Sequence, residues 1–190
     1  MSLFPLDLLS VPYRWAVQAR VFFYDVGLLR PKRLPCPVIS VGNITVGGTG
    51  KTPLVMLLAK CLRERGITIA ILSRGYRRKQ NSDSLVSNGQ SLFLSSEEAG
   101  DEPYLMASVL KDVPTLVGKD RFMTGQMALQ RFGARCLLLD DGYQHFQLHR
   151  DLNILLIDSH IGFGDDHLLP RGILREPLSH LKRADLFILT

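Results

Sequence analysis

From residue 35 onward, short continuous apolar runs alternate with stretches whose apolar positions recur at helical spacing. Residues 38–41 (VISV) read as a buried strand, followed by a glycine-rich loop and a helix over 53–65. Pro53 suits the first turn of that helix and Gly66 its stop. Residues 67–73 form a second apolar run, and 84–94 (SLVSNGQSLFL) carry Asn88-Gly89, a hairpin signal. A helix over 97–110, a strand over 113–117 and a helix over 121–132 come next. The runs 136–140 and 154–158 both end in aspartate, and 184–190 (ADLFILT) is strand-like again. Such alternation predicts an α/β fold with a mostly parallel sheet flanked by helices.

The first 35 residues differ. A helix over 12–29, turning about 100° per residue, gathers Arg14, Gln18 and Asp25 on one side and leaves Arg20 apart. The rest of its surface is Tyr13, Trp15, Val17, Val21, Phe22, Phe23, Tyr24, Leu28 and Leu29. A wide apolar face rimmed by arginines predicts an amphipathic helix lying in a bilayer interface. The alternative is a helix packed on its own domain or on a partner. Asp7, Arg14, Arg20, Asp25 and Arg30 break any uncharged span of the ~18 residues that a crossing needs. No basic segment precedes a clean apolar core, so no cleaved leader is expected either. The expected organisation is a membrane-associated helical segment over 1–35 and a nucleotide-binding domain over 36–190.

Composition narrows this only slightly. Across 190 residues, 46% apolar and 22% charged content describes a globular chain rather than a disordered one. A net charge of +5 suits an anionic partner without choosing among nucleotide, nucleic acid and acidic membrane. Cys36, Cys61 and Cys136 are odd in number and widely spaced, which fits reduced thiols on the cytosolic side of a membrane.

The chemistry is concentrated in 40–55, SVGNITVGGTGKTPLV. A strand, a glycine loop and a helix in that order predict a phosphate cradle, making the domain P-loop NTPase-like. Thr45, Val46, Gly47, Gly48, Thr49, Gly50, Lys51 and Thr52 are its expected nucleotide-binding residues. Lys51 would reach the β and γ phosphates of ATP, and the Thr52 hydroxyl would bind Mg²⁺. Thr45 stands where the strict G-x-x-x-x-G-K-[ST] pattern has glycine.

A Mg²⁺-binding aspartate should end a neighbouring strand. Asp140 and Asp141 in CLLLDDGYQH compete with Asp158 in NILLIDS. Two adjacent carboxylates repel unless a cation sits near them, which favours the pair; spacing alone does not exclude Asp158. In GDEP, Asp101 and Glu102 precede a proline that could open a helix, so they read as capping residues or as a general base for an attacking hydroxyl. Arginines in SRGYRR (73–78) and LPRGILREP (169–177) could clamp phosphates. His145 is the one histidine next to this chemistry.

In order, VGNITVGGTGKTP, ILSRGY, GDEPYLMA, DDGYQH and LPRGILREPL, behind an apolar N-terminal helix, resemble the tetraacyldisaccharide 4'-kinases of lipid A biosynthesis. That resemblance implies a transferase at the cytoplasmic face of the bacterial inner membrane. It would use ATP and Mg²⁺ to phosphorylate the 4'-hydroxyl of a tetraacylated glucosamine disaccharide 1-phosphate, a lipid A precursor. Nucleic acid and an obligate protein partner are not expected. Matched motif by motif, Lys51, Asp101 and Asp141 would be catalytic, with Asp101 the base. Thr52, Asp140 and Glu176 would hold the metal, and Arg74, Gly75 and Tyr76 would lie near the acceptor or phosphates. The chain departs from the family in reading Pro170-Arg171-Gly172-Ile173 before LREP. Family members are also longer, with a second, C-terminal domain, so the chain resembles their N-terminal portion. Two rival functions are a membrane-attached switch ATPase, against which Val46 stands in place of a signature lysine, and a non-catalytic nucleotide-binding fragment.

Overall fold

The computed structural model describes residues 4–76, 78 and 82–190, the first six of them by backbone alone. Arg77 of the SRGYRR stretch and the first three residues of the N-terminal segment lie outside the described residues. The elements are α1 (Phe4–Asp25), β1 (Val38–Gly42), α2 (Lys51–Glu64), β2 (Ile69–Ser73), β3 (Ser84–Ser87), α3 (Ser96–Ala99), α4 (Asp101–Val109), β4 (Thr115–Val117), α5 (Arg121–Phe132), β5 (Cys136–Asp140), β6 (Leu152–Ile157) and β7 (Leu186–Leu189), with a 3-10 helix over Leu178–Arg183.

Seven strands form one sheet in the order β3-β4-β2-β5-β1-β6-β7. Every pairing is parallel except β3 with β4. Strands buried on both faces read as unbroken apolar runs, which is why β1, β2 and β5 are plain in the hydrophobic pattern. One face packs Val41, Ile69, Ile71 and Leu138 against Val55 and Ala59 of α2 and Met106 of α4. The other packs Val38, Leu72, Leu116, Leu137 and Leu139 against Ala128 of α5. Asp120 caps α5 by accepting from the amides of Phe122 and Met123, and Gly133 ends it in the left-handed conformation.

Three expectations shift. The hairpin at Asn88-Gly89 exists, with Phe93 N–H donating to Val86 O at 2.8 Å, but its second arm is a single bridge. The helix expected over 97–110 is two, parted at Gly100. Gly100 has φ 94°, outside any helical region and open to glycine at little cost. Asp101 and Glu102 thereby become the first residues of a new helix rather than the middle of an old one. Finally, α1 runs over Phe4–Asp25 instead of 12–29. Pro5, not Pro12, occupies its first turn, and a turn through Gly27 (φ 76°) ends it before Leu28.

One side of α1 is seated on the body. Val21 is buried, Tyr24 stacks on Phe146 with ring centroids 5.4 Å apart, and the Arg20 guanidinium lies 5.2 Å from the same ring. Trp15 (71% exposed), Phe22 (57%), Phe23, Val26, Leu28 and Leu29 face outward. No helix among the described residues is long and apolar enough to cross a membrane.

Candidate active site

The parallel strands β2, β5 and β1 end side by side, and their carboxyl ends open onto one cleft, where ligands of open α/β sheets bind. From β1 the chain passes through buried Asn43, Ile44 and Thr45 into the glycine loop. Gly50, with φ 73°, turns it into α2, which starts at Lys51. Val46, Gly47 and Lys51 line a cavity of about 710 Å³, with Ser73, Arg74 and Tyr76 from the end of β2. Glu102 of α4, Arg121 of α5, and Asp141, Gln144 and His145 after β5 line it too. Tyr13 and Arg20 of α1 and Arg175 complete that side.

Lys51 is 8% exposed. Its Nζ donates to Asn43 Oδ1 at 3.3 Å and lies 3.8 Å from Asp141 Oδ1. Arg175 Nη1 contacts both Asp141 oxygens, at 3.1 and 2.9 Å. Asp141 is thus shared between a lysine and an arginine, at a residue whose φ of 49° turns the chain sharply out of β5. Around the cavity, Arg20, Lys51, Arg74, Lys119, Arg121 and Arg175 oppose Glu102 and Asp141, an excess that favours a polyanionic ligand. Burial, then the charge of Arg74, lowers Arg121 to about 10, which leaves it a cation at neutral pH. His145 is the reverse case. Burial first, then Arg121 and Arg150, pushes it down to about 3, so it stands there as neutral imidazole.

Asp140 lies at the root of the cleft, 1% exposed, accepting from Ser73 Oγ at 3.0 Å. Burial, then the charges of Glu102 and Asp141, raises its carboxyl to about 7 against the opposing effects of Ser73 and Lys51. Its Oδ1 and the Thr49 hydroxyl are buried and find no partner among the described residues. Orphaned oxygens of this kind fit a small hard cation. Among the described residues no group of three or more His, Cys, Asp and Glu could hold a metal. Few protein ligands suit Mg²⁺, which keeps waters and takes phosphate oxygens.

The profile of the family described as LpxK, Tetraacyldisaccharide-1-P 4'-kinase, matches residues 2–190. The chain belongs to the tetraacyldisaccharide-1-phosphate 4'-kinase family. A tetraacyldisaccharide 4'-kinase of Geobacter metallireducens is 50% identical over 186 residues, covering 97% of this chain and 55% of that protein. One from Aquifex aeolicus is 48% identical over 189 residues, covering 100% and 58%. A crystal structure of LpxK from Aquifex aeolicus, described as an "apo" form in complex with ATP, superposes with a TM-score of 0.90 at 48% identity. It covers 99% of this chain and 57% of its own. The chain therefore spans about half the length of the curated relatives it matches.

Within this family fold, the residues singled out from sequence fall into two groups. Val46, Gly47, Lys51, Arg74, Tyr76, Asp141 and His145 line the cleft. Thr45, Thr49 and Asp140 lie buried beside them, and Thr52 is half-buried in the first turn of α2. Others are not among the lining residues. Asp101 is exposed at the start of α4, and its neighbour Glu102 takes the cleft position. Asp158 caps a turn after β6, accepting from the amides of His160 and Ile161 at 2.8 and 3.1 Å. Glu176 is buried in an ion cluster of its own, 2.8 Å from His180 Nδ1 and hydrogen-bonded by Arg183. Arg183 in turn lies 4.4 Å over the rings of both Tyr143 and Phe146.

Sequence reasoning passes over Asn43 and Arg121, counts Tyr13 only in the apolar face of the first helix, where the structure turns it into the cleft, and names Arg175 only as one of several arginines. Asn43 stands inside the glycine-loop stretch, and an amide eight residues before the loop lysine is a usable signal. Arg121 and Tyr13 carry none, because each reaches the cleft from a helix placed by the fold.

Proposed function

We propose that the chain carries the nucleotide and acceptor sites of a kinase that transfers the γ-phosphate of ATP to the 4'-hydroxyl of a tetraacylated glucosamine disaccharide 1-phosphate. The observation that carries this reading is one cation-rich cleft. It brings together the glycine-loop lysine, two carboxylate-bearing turns and the underside of an aromatic helix. Lys51 offsets charge on the β and γ oxygens, with Asn43 and Asp141 holding its Nζ in place. Arg74 and Arg121 are set to clamp anionic oxygens of either ligand. Asp140, Thr52 and the Thr49 hydroxyl would hold Mg²⁺, which when bound offsets further phosphate charge. The acidic start of α4 supplies the base that receives the proton of the attacking hydroxyl. Asp101 is the residue that the family motif assigns and Glu102 the one lining the cleft. Asp101→Asn and Glu102→Gln should differ, the base variant losing about 10²-fold or more in kcat. Equal, small losses would remove both from the role.

The acceptor cannot leave the bilayer, so the cleft must come to it. The outward face of α1 supports a peripheral seat on the cytoplasmic face of the inner membrane, with Tyr13 and Arg20 of the same helix in the cleft. Trp15→Glu with Phe22→Glu should reduce the fraction floating with phosphatidylethanolamine–phosphatidylglycerol vesicles by roughly tenfold or more. Unchanged flotation would end the interfacial reading.

The deciding assay supplies labelled ATP, Mg²⁺ and the tetraacylated disaccharide 1-phosphate in mixed micelles. It is run on this chain and on one extended to the length of its relatives. Label in the lipid establishes the kinase. ATP hydrolysis without lipid label, stimulated by a protein, would replace it with a switch ATPase. Binding without turnover in both forms would leave a nucleotide-binding module.

A further inference from the structure

Arg175 is held through its backbone and its side chain, which also lies 3.5 Å from Gln144 Oε1. Its backbone N–H donates to Ile44 O at 2.7 Å, its guanidinium grips Asp141, and its backbone O accepts the Tyr13 hydroxyl at 2.8 Å. The surrounding strap is joined to the glycine loop: Val46 N–H donates to Ile173 O at 2.8 Å, and Leu174 bridges Thr45 in antiparallel fashion. A phenol on α1 is thus one hydrogen bond from the strap, and the strap is one ion pair from the partner of Lys51. We propose that Tyr13 is a positioning residue: its hydroxyl couples the seating of α1 to the Arg175–Asp141 pair, and so sets where Lys51 meets the phosphates.

The coupling follows from how Asp141 is shared. Arg175 holds both of its oxygens, while Lys51 stands 3.8 Å from one of them. If the strap shifts and Arg175 loosens its hold, Asp141 is freed to pair with Lys51 and draw it from the cleft. Movements of about an ångström at such a group lower turnover by one or two orders of magnitude. Burial and the nearby charge of Glu176 raise the Tyr13 pKa, so the phenol keeps its proton and donates at neutral pH. Helix α1 has other attachments, Val21 and the Tyr24 stack on Phe146, that are made without the Tyr13 hydroxyl. Tyr13 is therefore separable from anchoring as such. Where turnover is concerned, the inference rests on the kinase reading above.

The test compares Tyr13→Phe with Tyr24→Leu, which weakens the seat of α1 but leaves the strap bonded. Amide hydrogen exchange on the chain is read at Val46 and Arg175, and kcat and lipid KM are read in the form that transfers phosphate. Tyr13→Phe should speed exchange at both amides and lower kcat about tenfold with lipid KM within about twofold. Tyr24→Leu should disturb exchange at those amides only while the Tyr13 hydroxyl is present, adding nothing in the Tyr13→Phe background. Unaltered exchange in Tyr13→Phe overturns the proposal whatever the activity. A raised lipid KM at constant kcat overturns it too, reducing Tyr13 to an anchor. If the wild-type protein transfers nothing, the kinase reading fails on its own account. The exchange data alone then decide whether the tie between α1 and the glycine loop exists.

Discussion

Lys51→Ala lowers phosphate transfer on the order of a thousandfold or more while leaving the fold intact. The size follows from where the amine sits. Lys51 is buried at the mouth of α2, held by Asn43 and faced by Asp141, so its charge acts where water screens little. Alanine also leaves the carboxylate of Asp141 paired with Arg175 instead of shared with the lysine of the glycine loop. Lipid labelling measures the loss, and thermal unfolding checks that the sheet survives. Turnover within tenfold of wild type, with normal unfolding, would remove Lys51 from the reaction.

Asp140→Asn, by contrast, makes the protein more stable and less able. The carboxyl titrates near 7 in the fold against about 3.9 in an unfolded chain. Between these values the unfolded chain has released a proton that the native one keeps. Stability associated with Asp140 is therefore complete below about pH 4 and is lost as pH rises through 7. Asparagine carries no charge and still accepts from Ser73, so it escapes that loss. At pH 8, without nucleotide or divalent cation, we expect a gain on the order of 3 kcal/mol, or roughly 5–10 °C in Tm. At pH 4 the two proteins should unfold together. Added Mg²⁺ should stabilise the wild type at pH 8 and not the variant, and transfer should fall steeply. A gain independent of pH would mean that the charge of Asp140 is not what strains the site.

Both expectations concern residues that stand out in the bare sequence. Strand β5 and helix α5 match their predicted bounds because each carries its own punctuation. Strand β5 is an apolar run closed by two aspartates; α5 has Asp120 at one end and Gly133 at the other. The glycine loop is legible for the same local reason. The expected start of α1 misses because two prolines compete for its first turn, and propensity does not rank Pro5 against Pro12; its end misses because the apolar pattern runs on through the turn at Gly27. The break at Gly100 escapes the periodicity, which runs through it; the proline of GDEP marks a helix start nearby, and the φ of Gly100 shows where the chain turns.

By itself, the sequence determined the sheet's strands, the glycine loop with Lys51, the paired aspartates after β5 and the family to which these belong. Those features are written in runs of neighbouring residues, where spacing and side-chain type are enough. Only the tertiary structure decided which carboxylate sits where: Asp140 beneath the cleft, Asp141 between Lys51 and Arg175, Glu102 at the wall, Glu176 inside a separate ion cluster. It alone brought Tyr13 to the backbone of Arg175, 162 positions along the chain. The reason is physical. A charge takes its role from the dielectric and the partners around it, and both are supplied by distant segments that meet only when the sheet forms.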